Sequence, residues 1–422
     1  MKPTSVPQGD TLLRRSRFLL GCLSCAVACF LPSVHAAAPQ SPAKADLPPQ
    51  PRESGIVFDC PAERRLQIER EMHGFLAELQ IAPALYSVDR QANSGKLRFT
   101  LNTPHDDTST LDFTERPEFG IPAQRVRMPS GPGKEREVST VSQKEIVLAL
   151  MQHGRLTGFS GDACAIEALR DHVGIRQNIV AWAEVLQWGW PNGRPSQWNE
   201  QYWRGATPKN RRLLRQAVND AFINQEKYAI GCYAAARLVI AQGILDYYHR
   251  IRKDAVKARI VKTRLLKDKE PLVDIEPARM WSFETDFNPQ ELERPGKIMR
   301  ITDGVADRNF VPGDWPHFQN TDPVSYEKTG YEGSNPIYLG RNRFVDYYND
   351  HDHFYTFEEK LDEVYQWRNK VFNRSRDKDL IVPLSEADYA RLHQAPEKGG
   401  LLMTLRSTPY YFGFEGLPAI GP

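Results

Sequence analysis

Of the six cysteines in this 422-residue chain, Cys22, Cys25 and Cys29 crowd together near the start, while Cys60, Cys164 and Cys232 are spread through the rest. An odd number of thiols beyond the first segment leaves one unpaired in an oxidising compartment, where it is either buried or chemically employed. Cys60, in Phe58-Asp59-Cys60-Pro61, and Cys164, in Gly161-Asp162-Ala163-Cys164, sit in similar polar settings just ahead of helical patterns and are expected to pair. Cys232 is then the free thiol. The segment Tyr228-Ala229-Ile230-Gly231-Cys232-Tyr233-Ala234-Ala235-Ala236 predicts a helix that starts beside it, because Gly231 permits a sharp chain entry and the alanines propagate the helix. Unpaired N–H groups and the dipole of a first helical turn lower a thiol pKa, and the Cys232 N–H is available for an oxyanion hole. The chemistry expected of such a residue is nucleophilic acyl transfer; the bland alternative is a small apolar residue in a buried helix.

Other groupings are weaker. His351-Asp352-His353 alternates like a pair of metal ligands, but it lacks a clear third protein ligand nearby and reads as a solvated turn, so neither metal nor cofactor is expected. Trp182, Trp188, Trp190, Trp198 and Trp203 suit a glycan or peptide groove, although anchoring packed helices is the commoner use of tryptophan. Lysine or arginine recurs at 250, 252, 253, 257, 259, 262, 264, 267 and 269. That run suits an anionic glycan or lipid surface, with a solvated helix face as the ordinary alternative.

Arg14-Arg15-Ser16-Arg17, an apolar stretch over 18–31 and Val34-His35-Ala36 read as a signal peptide with its cleavage site. Leu19-Leu20-Gly21-Cys22 also has the look of a lipoprotein box and Arg14-Arg15 of a twin-arginine signal, both imperfect. The apolar run is shorter than the ~20 residues that span a bilayer, so no transmembrane segment is expected in the mature protein. The location expected is periplasmic or secreted. Lys2, Arg14, Arg15 and Arg17 less Asp10 carry more than the whole formal charge of +2, so the remainder is near neutral and no nucleic-acid partner is indicated.

The elements that must position Cys232 follow from periodicity. Segment 37–55, rich in Pro and Ala, is a flexible linker. Apolar spacing predicts a helix over 63–79, and alternation predicts a strand over 96–101. The proline- and glycine-rich 121–140 reads as a loop, with a short helix after it over 142–152. Four helices are expected over 166–173, 179–188, 209–222 and 228–248. Short strands follow at 297–302, 315–319, 335–339 and 343–347, then a helix over 356–371. The division expected is signal peptide 1–36, linker 37–55, accessory α+β region 56–165, catalytic domain 166–375 and C-terminal extension 376–422. The fold class is α+β.

Ile179-Val180-Ala181-Trp182-Ala183-Glu184-Val185-Leu186, Tyr202-Trp203-Arg204, the Cys232 helix, Gly313-Asp314 and Asn335-Pro336-Ile337-Tyr338-Leu339-Gly340 occur in an informative order. Over roughly residues 170–370 it resembles that of bacterial protein-glutamine gamma-glutamyltransferases of the spore-coat transglutaminase type. The resemblance implies a papain-like or NlpC/P60-like helix against a small antiparallel sheet. It implies that Cys232 attacks a glutamine side chain, releases ammonia and passes the acyl group to a lysine amine, or to water, without a cofactor. The implied partners are proteins bearing glutamine and lysine. The family's glutamates match Gly231 and Ser334 here, neither of which is a base. Glu332 is the first substitute, since it and Ser334 share a strand face about 7 Å apart; His317 is the next, and Asp346 could orient either. A cysteine amidase or peptidase acting on cell-wall peptides and a non-catalytic envelope-binding homologue are the alternatives.

Overall fold

The computed structural model describes residues 54–91, 95–205, 207–267, 299–350, 353–372 and 376–409. Residues 1–53, which include the expected leader and most of the expected linker, and His351 and Asp352 lie outside them.

Strand β1 (Gly55–Asp59) leads through Cys60 into helix α1 (Ala62–Glu78), whose Ile68, Met72, Phe75 and Leu76 are buried. Strands β2 (Tyr86–Gln91) and β3 (Lys96–Leu101) follow, and the alternation in β3 buries Leu97, Phe99 and Leu101 on one face. The hairpin β4 (Gln124–Gly131) and β5 (Lys134–Thr140) occupies the stretch that sequence reads as a loop. Its glycines lie at the turn, and Pro129 is tolerated because a two-stranded ribbon is all edge. Helix α2 (Gln143–Met151) and strand β6 (Leu156–Ser160) complete the first part, where the sheet runs β2-β3-β1-β6 with only β1 and β6 parallel.

Cys164 stands just before helix α3 (Ile166–Ala183) and is bonded to Cys60 with 5.7 Å between their Cα atoms. The pairing is the expected one. In place of two helices over 166–173 and 179–188, α3 runs unbroken through Gly174, where a Cβ would sit 2.4 Å from the Tyr247 ring. That glycine is used for close approach, not as a stop. After the short ribbon β7 (Trp203–Arg204) and β8 (Thr207–Pro208) come α4 (Leu214–Ile223), α5 (Cys232–Asp246), a π-turn over Tyr247–Ile251 and α6 (Ala255–Lys267). Helix α5 is apolar all round, and twelve of its fifteen residues are buried. It packs on α3 within the same core that holds Phe58 and Phe99.

The remaining elements are β9 (Met299–Thr302), β10 (Trp315–Gln319), α7 (Pro323–Tyr326), β11 (Gly333–Ser334), β12 (Ile337–Gly340), β13 (Arg343–Val345), β14 (Phe354–Tyr355), α8 (Phe357–Gln366), α9 (Glu386–Leu392) and β15 (Leu402–Pro409). They form an antiparallel sheet in the order β11-β10-β15-β9 and a three-stranded sheet β12-β13-β14. The late strand β15 is inserted between β10 and β9, so the C-terminal segment completes the sheet that faces Cys232. Helix α8 begins with a capping box between Thr356 and Glu359. The class is α+β, as expected, and no helix among the described residues is long and apolar enough to cross a membrane.

Candidate active site

Cys232 is the first residue of α5 and the free cysteine among the described residues. Gly231, its N-cap, is extended and offers no side-chain cap, so the first N–H groups of the helix have no internal partner. The sulfur is half-buried. It faces β11, donating to Gly333 O at 3.8 Å and accepting from Asn335 Nδ2 at 3.3 Å, and the Asn335 backbone N–H is also turned to it. Burial pushes the thiol up to about 11; the Asn335 hydrogen bond opposes that, while the negative charge of Asp346 and, more weakly, of Glu332 adds to it. The helix start was expected to lower this pKa. Burial works in the opposite direction, because a thiolate loses hydration on leaving water.

Asp346 lies beyond β13 and lines the same cleft as Cys232, together with Ser334, Glu363 and an aromatic wall of Trp190, Tyr331, Tyr348 and Trp367. The cleft is narrow, with a cavity volume of about 30 Å³. Asp346 is buried, and Lys360 Nζ lies 3.3 Å from it and 2.5 Å from Glu363 Oε2. Lys360 is itself fully buried, so one cation between two carboxylates offsets the desolvation of the group.

Glu332 takes a different course. Its carboxylate accepts the Gly330 N–H at 2.8 Å and its own N–H, folding back on its loop, and burial raises its pKa. His317, on β10, sits beneath β11: a Cβ on Gly333 would come within 2.4 Å of the imidazole, so only glycine leaves that room. Its Nδ1 donates to Asn335 Oδ1 at 3.0 Å, and burial depresses the ring to about 4, keeping it neutral. Ser334 pairs with Phe318 and stands in the cleft. The structure thus brings Cys232, Asp346 and Ser334 to one cleft. His317 meets the sulfur's neighbour Asn335, and Glu332 reaches the thiol only through the weak effect of its charge. Sequence reading gave no role to Asn335 or to Trp315, whose Nε1 donates to Asn335 Oδ1 at 3.0 Å.

The other groupings resolve differently. Trp182, Trp188 and Trp203 are fully buried and bond to Asp246, Ala221 O and Ala217 O, and Trp198 is largely buried; Trp190 alone of the five lines the cleft. In the basic run, Arg250 pairs with Asp246, Arg252 with Glu167 and Asp171, and Lys257 with Asp171. Among the described residues no group of three His, Cys, Asp or Glu side chains is arranged to hold a metal ion.

A helix-borne thiol opposite a short antiparallel strand, with a carboxylate in the same cleft, is an arrangement for acyl transfer. A search of curated proteins finds no match. Among solved structures, the transglutaminase from Geobacillus stearothermophilus (without C-terminal extension) is similar at 18% identity, with a TM-score of 0.33, over 59% of this chain and 94% of that one. The family profile of protein-glutamine gamma-glutamyltransferases matches residues 134–375, a span that runs from β5 through α8 and takes in Cys232, His317, Glu332, Asn335 and Asp346. With more than half of its length so matched, the chain belongs to the protein-glutamine gamma-glutamyltransferase family.

Proposed function

We propose that this protein is an exported acyltransferase that forms a thioester between Cys232 and a glutamine side chain of a protein substrate, then transfers the acyl group to a primary amine. The observation that carries this reading is the shared cleft of Cys232 and Asp346 at the N-terminus of α5. Asp346 takes the thiol proton as the sulfur attacks the amide carbon. The C–S bond forms, the C–N bond breaks, and the proton leaves with the nitrogen as ammonia. The incoming amine repeats the sequence in reverse, giving an isopeptide bond and restoring the thiol; water in its place gives glutamate. Because the resting thiol titrates near 11, proton removal belongs to the attack itself and not to the free enzyme. The carboxylates of Asp346 and Glu363 and the aromatic wall suit an alkylammonium acceptor. The disulfide and the leader-like opening of the chain support export.

The test is incubation of the mature chain with a fluorescent primary amine and a glutamine-rich acceptor protein. Covalent labelling that is absent with Cys232→Ser supports the reading. Labelling that persists with Cys232→Ser, or release of cell-wall peptides without labelling, rejects it.

A further inference from the structure

We propose that Asn335 is the residue that stabilises the negative charge on the sulfur of Cys232 as its proton is lost, and that Trp315 aims it. This rests on the reading of Cys232 as the nucleophile and adds a positioning pair to it.

Asn335 presents two donors to one sulfur, its Nδ2 at 3.3 Å and its backbone N–H. An amide cannot accept the thiol proton, so its contribution is to the charge left behind: hydrogen bonds to an ionised acceptor are about twice as strong as neutral ones. The direction of the side chain is set by chemistry. The indole Nε1 of Trp315 is a donor with no acceptor capacity, and it lies 3.0 Å from Asn335 Oδ1. Reversing the amide would set N–H against N–H and present an oxygen to the sulfur. His317 Nδ1 reaches the same oxygen at 3.0 Å, and the neutral ring has an N–H to give there.

The backbone of Asn335 is pinned as well. Pro336 after it restricts it to extended conformations. Its carbonyl accepts the Tyr347 hydroxyl at 2.7 Å, and Tyr347 holds a left-handed φ of 74°. A bulky residue is uncommon in that region and persists where the surroundings over-determine it. Here it places a hydroxyl on Asn335 directly after Asp346. Indole, imidazole, phenol and proline all act on a residue that is 4% exposed and whose two free donors point at the nucleophile.

During attack the sulfur lone pair becomes the C–S bond and the carbonyl π pair moves to the glutamine oxygen; nothing is oxidised or reduced. Asn335 lowers the cost of the charge that gathers on the sulfur as its proton is lost in that step.

The experiment is the rate of Cys232 alkylation by iodoacetamide against pH, on the full mature chain. Asn335→Ala is expected to move the curve to higher pH by about one unit, so that the rate on the rising limb, at pH 8 for example, falls about tenfold. Trp315→Phe, which keeps an aromatic ring but removes the donor, shifts it the same way by less. An unmoved or downward-shifted curve for Asn335→Ala in folded protein overturns the proposal. If that variant does not fold, Trp315→Phe decides alone, an unmoved curve rejecting the aiming role and with it the proposal. Alkylation reads the thiolate whether or not the protein transfers acyl groups. A shifted curve without amine labelling therefore sinks the proposed function and keeps this inference, and labelling with an unmoved curve does the reverse.

Discussion

Helix α5 starts at a cysteine and helix α3 two residues after one, and the two sulfurs have opposite fates. Helix α3 begins after Cys164 with Ala165 as an extended N-cap that offers no side-chain bond, and α5 begins at Cys232 after Gly231 in a similar conformation. Both starts leave N–H groups uncapped, but Cys164 is fully buried whereas Cys232 is half-buried. Opposite Cys164 stands Cys60, and the pair is oxidised in the apolar core. Opposite Cys232 stand a glycine carbonyl, the donors of Asn335 and the charge of Asp346, beside an open cleft. A helix start therefore offers a cysteine polarity without assigning it a task. The strand or helix that faces the sulfur makes the assignment.

The comparison breaks most visibly by removing each sulfur in turn. Cys232→Ser is expected to lower amine incorporation by about 10⁴-fold or more while leaving the urea midpoint near that of the parent, since a nucleophile acts as a unit with its partners. Replacing Cys60 and Cys164 together by alanine should do the opposite. The disulfide spans 104 residues of sequence, and its loss should cost about 2–5 kcal/mol of stability by urea unfolding, with labelling by the folded fraction kept. Loss of labelling in double-alanine protein that is still folded would mean that the staple belongs to the chemistry.

A sharper cut separates the two roles assigned to charge at Cys232. Asp346 raises the thiol pKa by its charge, so Asp346→Asn should speed alkylation by iodoacetamide at pH 8. If Asp346 also takes the proton during attack, the same substitution lowers amine incorporation by about 10²- to 10⁴-fold. The two readouts move in opposite directions only when both roles are real. Incorporation that survives in Asp346→Asn returns the role of base to Glu332 or His317.

Much of this arrangement is legible in the sequence, for identifiable reasons. Cysteine arithmetic and local setting lead to Cys60–Cys164, and Gly231 before an alanine run leads to the start of α5, because both are signals carried within a few residues. The hairpin at 124–140 was hidden because its glycines and prolines are turn and edge residues that also suit a loop. Gly174 reads as a break until Tyr247, seventy-three positions on, is seen to need its space. Asn335 is illegible as a donor to Cys232 for a similar reason. Its aim depends on the pairing of Phe318 with Ser334 and on Trp315 reaching across that ladder. The sign of the thiol shift is set by burial, which no local pattern reports.

A third helix start carries the same override on a carboxylate, and here the expected effect is smallest. Helix α2 is properly capped, Ser142 accepting from the Glu145 N–H, and an acidic residue in that first turn should have a lowered pKa. Burial instead pushes Glu145 up to about 7, against the hydrogen bond it accepts from the Arg341 N–H at 2.8 Å in the turn between β12 and β13. Its pKa is raised above the ordinary carboxylate value of 4.5, so the folded state holds the proton more tightly than the unfolded chain. The stability this contributes is complete below pH 4.5 and is lost as pH rises through about 7. By pH 8 the loss is at most about 3 kcal/mol. Glu145→Gln keeps an acceptor for Arg341 and cannot ionise, so its urea midpoint should gain on the parent's steadily between pH 5 and pH 8. Parallel midpoints across that window would show that the carboxylate is already ionised in the fold, and that this helix start, unlike that of α5, prevails over burial.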